Sequence, residues 1–283
     1  MERVLVTGSN SYIGTNVEKW LMREPEKYSV KTLDLKDPNW KDFDFSKFDV
    51  VFHVAGLVHV KTTKKNKKDF FTINRDLTCD VSKIAKEAGV RQFIFMSTMN
   101  IFGVNSGVID ENTVPKPRSY YGLSKFQAEQ HLKSLISQTF SVCIVRPPIV
   151  YGPQCSGNYK TLSKLSKKVR FIPEINNSRS MIYIDNLSEL IRNLIDKNLV
   201  GTFHPQNKDY VNVTALIKKI ADYNNNHLYL IKKILNFVKY IKFGFFSKAF
   251  GTLVYSKKLS TYDFDYNVVN FIDSVKLSES CKC

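Results

Sequence analysis

Residues 3–14 constrain the fold more than any other stretch. Arg3-Val4-Leu5-Val6-Thr7 is a largely β-branched apolar run, Gly8 interrupts it, and Ser9-Asn10-Ser11-Tyr12-Ile13-Gly14 opens a helical pattern reaching residue 23. A strand that turns this quickly into a helix sends the chain back over its own sheet. The pattern then recurs. Residues 30–35, 50–55, 92–97 and 141–146 read as further strands, and 70–88 and 121–138 as further helices. Alternation of this kind predicts an α/β fold, a doubly wound parallel sheet with helices on both faces. Beyond Pro147-Pro148 the rhythm loosens into shorter elements. The expected division is a dinucleotide-binding portion over 1–152 and a smaller substrate-binding region over 153–283.

The turn itself has a chemistry. Gly8 can take dihedrals closed to other residues, and Gly14 lets the helix pack closely on the strands, so the free N–H groups of the helix start face a pyrophosphate. The middle position of the loop, where a third glycine would stand, is Ser11, whose hydroxyl is expected near that pyrophosphate. Asp34 follows 20 residues after Gly14, at the end of the second strand. A carboxylate there accepts from ribose hydroxyls and repels a 2′-phosphate, which favours NAD(H) and leaves NADP(H) open.

Composition excludes several other classes. With 43% hydrophobic and 24% charged residues over 283 positions, the chain is neither disordered nor a coiled coil. The apolar start is too short for a signal peptide, and no stretch reaches the roughly 20 apolar residues of a membrane helix, so a cytoplasmic location is expected. The five cysteines (Cys79, Cys143, Cys155, Cys281 and Cys283) lack metal-site spacing and read as reduced thiols, with no metal expected. The net charge of +16 comes with no zinc-finger, helix-turn-helix or aromatic RNA-binding signature, so nucleic acid is not the expected partner. A solvated lysine surface accounts for it, including the run Lys61, Lys64, Lys65, Lys67 and Lys68, with attraction for a diphosphate-bearing substrate as the second reading.

Tyr121-Gly122-Leu123-Ser124-Lys125 places Tyr121 and Lys125 four apart on one helix face, and residues 93–98 form a strand ending in Ser97 and Thr98. A phenol near pKa 10 transfers protons poorly at neutral pH. An adjacent ammonium lowers that pKa, and a hydroxyl can hold a substrate oxygen beside it.

With these motifs the chain resembles the extended short-chain dehydrogenase/reductases of the NAD-dependent epimerase/dehydratase family, over almost its whole length. The resemblance rests on Thr7 to Gly14, Asp34, His53-Val54-Ala55-Gly56-Leu57, Asn74, Ser97-Thr98, Tyr121 with Lys125, the segment from Arg146-Pro147-Pro148 to Pro153, and the segment from Arg179 to Asn186. It implies a Rossmann-like fold, a nucleotide-sugar substrate and a homodimer. It also implies a cofactor site made of Gly8, Ser11, Tyr12, Ile13, Gly14, Asp34, Val54, Ala55, Gly56, Leu57, Asn74, Tyr121, Lys125 and Pro148. Thr98, Tyr121 and Lys125 would be catalytic, and Thr98, Asn100, Asn158 and Arg179 would meet the substrate. His53 and His59 are expected to pack or touch substrate rather than catalyse.

Dehydratases of this type carry an Asp-Glu pair after the catalytic Thr, whereas Thr98 is followed by Met99-Asn100, which disfavours elimination. A 4-reductase and a 4-epimerase remain. Gly157-Asn158-Tyr159, the segment from Phe171 to Asn177, and Arg179-Ser180 resemble capsule- and O-antigen-pathway proteins that reduce UDP-2-acetamido-2,6-dideoxy-hexos-4-ulose, which places the reductase first. Residues 228–255 interleave apolar residues with Lys232, Lys233, Lys239, Lys242 and Lys248. A substrate-region helix with a buried apolar face is expected there, and peripheral membrane contact is the alternative.

Overall fold

A computed structural model describes residues 1–58, 60, 63, 66–231 and 251–280. His59, Lys61, Lys64, Lys65, Cys281, Cys283 and residues 232–250 of the basic apolar stretch lie outside the described residues. The ends of that stretch are described, and both are strands rather than parts of a helix.

The chain opens with β1 (Glu2–Thr7), α1 (Tyr12–Leu21), β2 (Tyr28–Leu33) and β3 (Val50–His53). The helix expected over 70–88 is divided. α2 (Lys67–Phe71) runs into a π-helical turn (Thr72–Asp76) and then α3 (Leu77–Glu87). Such widened turns concentrate at functional positions, and this one carries Asn74 into the interior. Next come β4 (Gln92–Met96), a 3₁₀ turn (Met99–Phe102), β5 (Gly107–Ile109), α4 (Tyr120–Leu135) and β6 (Ser141–Val145). The remainder comprises β7 (Ile149–Tyr151), α5 (Asn158–Ser166), β8 (Phe171–Pro173), β9 (Met181–Tyr183), α6 (Ile184–Asp196), β10 (Gly201–Phe203), α7 (Val213–Tyr223), β11 (Tyr229–Ile231), β12 (Leu253–Tyr255) and α8 (Phe271–Ser280).

Six strands form one sheet in the order β10-β6-β4-β3-β1-β2, parallel throughout. Buried on both faces, these strands are almost continuously apolar, as parallel strands must be. Alternation splits them between two layers. Val4, Val6, Phe52 and Ile94 pack with Leu187, Leu190 and Leu194 of α6. Leu5, Val51, Phe93 and Phe95 pack with Val81, Ala85, Ala128 and Leu132 of α3 and α4. The first of these cores continues through Tyr151, Tyr159 and Met181 to Val275, so it is shared by residues on both sides of position 152. Among the described residues no helix is long and apolar enough to cross a membrane.

Strand order reverses between β1 and β3, since β2 lies on one side of β1 and β3, β4 and β6 lie on the other. The loops leaving the ends of β1 and β3 therefore diverge and leave a crevice, the place where open α/β sheets bind ligands.

Candidate active site at the strand-order reversal

The floor of the crevice is built from backbone. Val54 and Ala55 both donate N–H bonds to the Thr7 carbonyl, at 3.1 and 2.9 Å. Gly8, at φ 113°, comes so close that a Cβ there would stand 2.8 Å from the Ala55 nitrogen. A Cβ on Gly56 would stand 3.0 Å from Asn74 Oδ1 and 3.1 Å from Lys125 Nζ. Asn74 accepts the Leu57 N–H at 2.7 Å, donates back to the Leu57 carbonyl and bonds the Ser124 hydroxyl. These approaches leave the crevice lined by main chain at both glycines, a cradle of the kind a dinucleotide requires.

Ser11 does something other than expected. Its hydroxyl accepts the Gly14 N–H at 3.2 Å and caps α1, instead of standing free beside the loop. A serine at an N-cap satisfies one of the orphan donors of a helix start, and its φ of −74° suits an L residue, so no glycine is needed there. Tyr12 lies with its hydroxyl against Gly152, where a Cβ would stand 2.6 Å away, and that buried oxygen has no hydrogen-bond partner. Asp34 is exposed just past β2 and accepts the Lys36 N–H at 3.0 Å. That bond, helped by the Ser9 hydroxyl, holds its carboxyl below the ordinary carboxylate range, so it presents an anion across the loop from Gly8.

His53 is fully buried between hydroxyls, with Nδ1 2.7 Å from Thr7 Oγ1 and Nε2 2.9 Å from Thr78 Oγ1. Because the Thr78 hydroxyl spends its proton on the Asn74 carbonyl, it can only accept from His53. This assigns the proton to Nε2 and leaves Nδ1 accepting from Thr7. The ring is packing that ties the ends of β1 and β3 to α3.

Tyr121, Lys125 and Thr98 meet beside this floor. The 3₁₀ turn after Thr98 rests on α4 where Gly122 has no side chain, and a Cβ there would stand 2.7 Å from the Asn100 carbonyl. That approach sets the end of β4 beside the start of α4, whose first turn is capped by Ser119. Burial pushes the Tyr121 phenol up to about 12, partly offset by its hydrogen bond with Thr98. Lys125, only 2% exposed, donates to the Met96 carbonyl at 2.9 Å and lies 4.6 Å from the Phe95 ring centroid. Burial brings its ammonium down to about 7, against the upward pull of Glu129. The lowering of the phenol expected from the Tyr-Lys spacing is therefore outweighed by desolvation of both groups.

The family-level comparison follows from this geometry. A model of the family described as "NAD dependent epimerase/dehydratase family" matches residues 4–202. The chain belongs to that family. A UDP-glucose 4-epimerase of Vibrio cholerae is 32% identical over 222 residues, covering 68% of this chain and 66% of that protein. An N-acetyl-alpha-D-glucosaminyl-diphospho-ditrans,octacis-undecaprenol 4-epimerase of Escherichia coli O157:H7 is 24% identical over 250 residues, 80% of this chain and 74% of that one. The structure of a Thermus thermophilus UDP-glucose 4-epimerase in complex with NAD superposes with a TM-score of 0.76 at 18% identity, covering 98% of each chain, and shares the fold.

Within this family member, the remaining residues singled out from the sequence sit on other elements. Pro148 is half-buried just past β6, Asn100 is exposed on the 3₁₀ turn, and Asn158 is the exposed first residue of α5. Arg179 is 9% exposed and donates to the Gly251 carbonyl at 3.1 Å. Among the described residues it has no carboxylate partner, and burial lowers its pKa. A buried guanidinium without an anion is costly unless a ligand supplies one.

Sequence reasoning passed over Glu129 and His204 and assigned Arg146 no role. Glu129 is fully buried one turn beyond Lys125, and its carboxylate takes Arg146 Nη2 at 2.6 Å, Arg146 Nε at 3.1 Å and the Ser97 hydroxyl. Arg146 Nη1 lies 3.3 Å from His204 Nε2. The usable signal was the Tyr121, Lys125, Glu129 spacing, which places all three on one face of α4.

Burial keeps His53 and His204 neutral, each with a pKa brought down to about 3. The sign follows from linkage. Unfolded imidazoles take up protons below about 6.5 while the folded ones do not, so stability is lost as pH falls from about 6.5 toward 3. Urea unfolding at pH 7 and pH 5 should differ by roughly 2 kcal/mol per histidine. Equal stabilities at the two pH values would show that these imidazoles do not resist protonation.

Proposed function

We propose that the chain carries out oxidoreduction at C4 of a UDP-sugar, as an NAD(P)H-dependent reductase of the C4 ketone of UDP-2-acetamido-2,6-dideoxy-hexos-4-ulose. The product would be UDP-N-acetyl-fucosamine or UDP-N-acetyl-quinovosamine, for surface polysaccharide synthesis. The observation that carries the reading is the meeting of Thr98, Tyr121 and Lys125 beside the crevice, with Met99 and Asn100 where elimination would need carboxylates.

The cofactor, when bound, supplies the transferable hydride that becomes the new C4–H bond. Gly8, Ile13, Gly14 and Val54 to Leu57 would hold it, and Asp34 would receive its ribose hydroxyls. Tyr121 donates its phenolic proton to the oxygen of the C4 carbonyl, so ketone, hydride and proton sum to the alcohol. A phenol held near 12 is protonated at neutral pH, as a proton donor must be. Thr98 hydrogen-bonds the same oxygen, and Lys125, fixed by the Met96 carbonyl, places positive charge beneath the phenolate left behind. Arg179 and Asn158 would hold the diphosphate. The sugar of the Vibrio relative and that of the Escherichia relative are both carried on a diphosphate, which supports this use of a buried unpaired guanidinium.

One observation favours a second reading, UDP-hexose 4-epimerisation with NAD retained: the 32% identity with UDP-glucose 4-epimerase. Absorbance at 340 nm with NADH or NADPH and the UDP-4-keto sugar separates the two. Loss of reduced cofactor equal to alcohol formed is the expected result, with NADH preferred because of Asp34. No loss, together with interconversion of UDP-glucose or UDP-N-acetylglucosamine with its C4 epimer, would replace the reductase by the epimerase.

A further inference from the structure

The substrate region carries a surface that the C4 chemistry does not use. β8 and β11 pair in parallel, with Tyr229 opposite Phe171, Leu230 opposite Ile172 and Ile231 opposite Pro173. Strand alternation sends Ile172 into the core and turns Phe171 and Tyr229 outward, 62% and 60% exposed, with ring centroids 5.7 Å apart. Pro173 and Ile231 are half-buried on the same outward face. Two large aromatic side chains are thus held open to water by a sheet that buries its other side.

The charge around this face is one-sided. No Asp or Glu occurs between Glu129 and Glu174. In the element leading to β8, Lys160, Lys164 and Lys167 recur at i, i+4 and i+7 of α5 and its cap, so they share one helix face, and all three are exposed. Lys168 and Arg170 follow, also exposed. Lys167 reaches Glu279 at 3.1 Å, and Glu174, exposed at the far end of β8, is the nearest carboxylate in sequence. The other four cations have no ion-pair partner among the described residues.

We infer that this face docks the protein peripherally on an anionic lipid bilayer, with Phe171 and Tyr229 entering the interface and Lys160, Lys164, Lys168 and Arg170 against the headgroups. Exposed aromatics flanked by cations match the two layers of such a surface, because rings prefer the headgroup boundary and cations the negative potential. A second protein chain is a poorer match, since four apolar residues fall far short of the roughly 20–30 per side of a stable interface. Stacked nucleic-acid bases could use the two rings, but Pro173 and Ile231 beside them offer bases nothing and suit acyl chains. The inference is independent of which C4 reaction the site performs.

Co-sedimentation of the whole protein with vesicles tests it. Phosphatidylglycerol/phosphatidylcholine vesicles should carry the protein down at low salt, and pure phosphatidylcholine vesicles should not. Phe171→Ser with Tyr229→Ser should lower partitioning at least about tenfold. Lys160→Glu and Lys164→Glu should each lower it about fivefold or more, the factor associated with one cation near such a surface. These lysines lie on an exposed helix face, so that pair keeps the test informative if the aromatic variant fails to fold. Turnover of soluble substrate should be unchanged in all of them. Absence of wild-type binding to anionic vesicles would overturn the inference. So would wild-type binding that neither set of variants weakens, or retention on single-stranded oligonucleotide without retention on vesicles.

Discussion

Phenylalanine at Tyr121 is expected to lower turnover by about 10²–10⁴-fold, the range for removing a positioned proton donor, while cofactor affinity stays near wild type. The substitution deletes one oxygen and keeps the ring, so the packing of α4 on the 3₁₀ turn at Gly122 persists. Thr98 and Lys125 remain, and neither replaces the lost proton: Thr98 is a weak acid, and the Lys125 ammonium is committed to the Met96 carbonyl. Single-turnover kinetics with prebound reduced cofactor would separate chemistry from binding. Substantial residual turnover at unchanged cofactor affinity would sink the assignment of Tyr121 as donor, whichever C4 reaction the site performs.

The second large effect concerns stability. Glu129→Ala should cost about 3–5 kcal/mol, the penalty for leaving the partner of a buried ion pair uncompensated. Arg146 would keep its charge in a site next to His204 with no carboxylate, and the Ser97 hydroxyl would lose its acceptor. Glu129→Leu combined with Arg146→Met removes both charges, and should recover most of the loss because desolvation and attraction nearly cancel in such pairs. Urea denaturation of the two variants decides the point, and a double variant no more stable than the single would show that the pair is not the source of the cost. The catalytic consequence has a definite direction. Glu129 raises the Lys125 pKa against burial, so its loss moves the alkaline limb of the pH–rate profile to lower pH.

The outline of the fold was legible because parallel strands and their helices are local, periodic objects. Residues 4–7, 92–97 and 141–146 announced β1, β4 and β6 to within two residues, since strands buried on both faces must be apolar along their whole length. The helix over 70–88 was read as continuous, and the π turn at Thr72–Asp76 escaped notice. What distinguishes it is the bonding of Asn74 to Leu57 and Ser124, which are 17 and 50 residues away. Ser11 was misjudged for a similar reason. Its hydroxyl had a nearby donor at Gly14, and only the path of the turn showed the two in contact.

The candidate site divides along the same line. Spacing alone put Tyr121, Lys125 and, unrecognised, Glu129 on one helix face, and put Gly8 and Asp34 at strand ends, because these relations depend only on helical and extended geometry. Tertiary structure decided the rest: that Thr98 reaches Tyr121 across Gly122, that Arg146 neutralises Glu129, and that burial rather than the ammonium governs the phenol. It also left Phe171 and Tyr229 outside, where their composition alone would have placed them in a core. Burial and charge pairing are sums over neighbours distant in sequence, and a linear pattern carries no record of which neighbours those are.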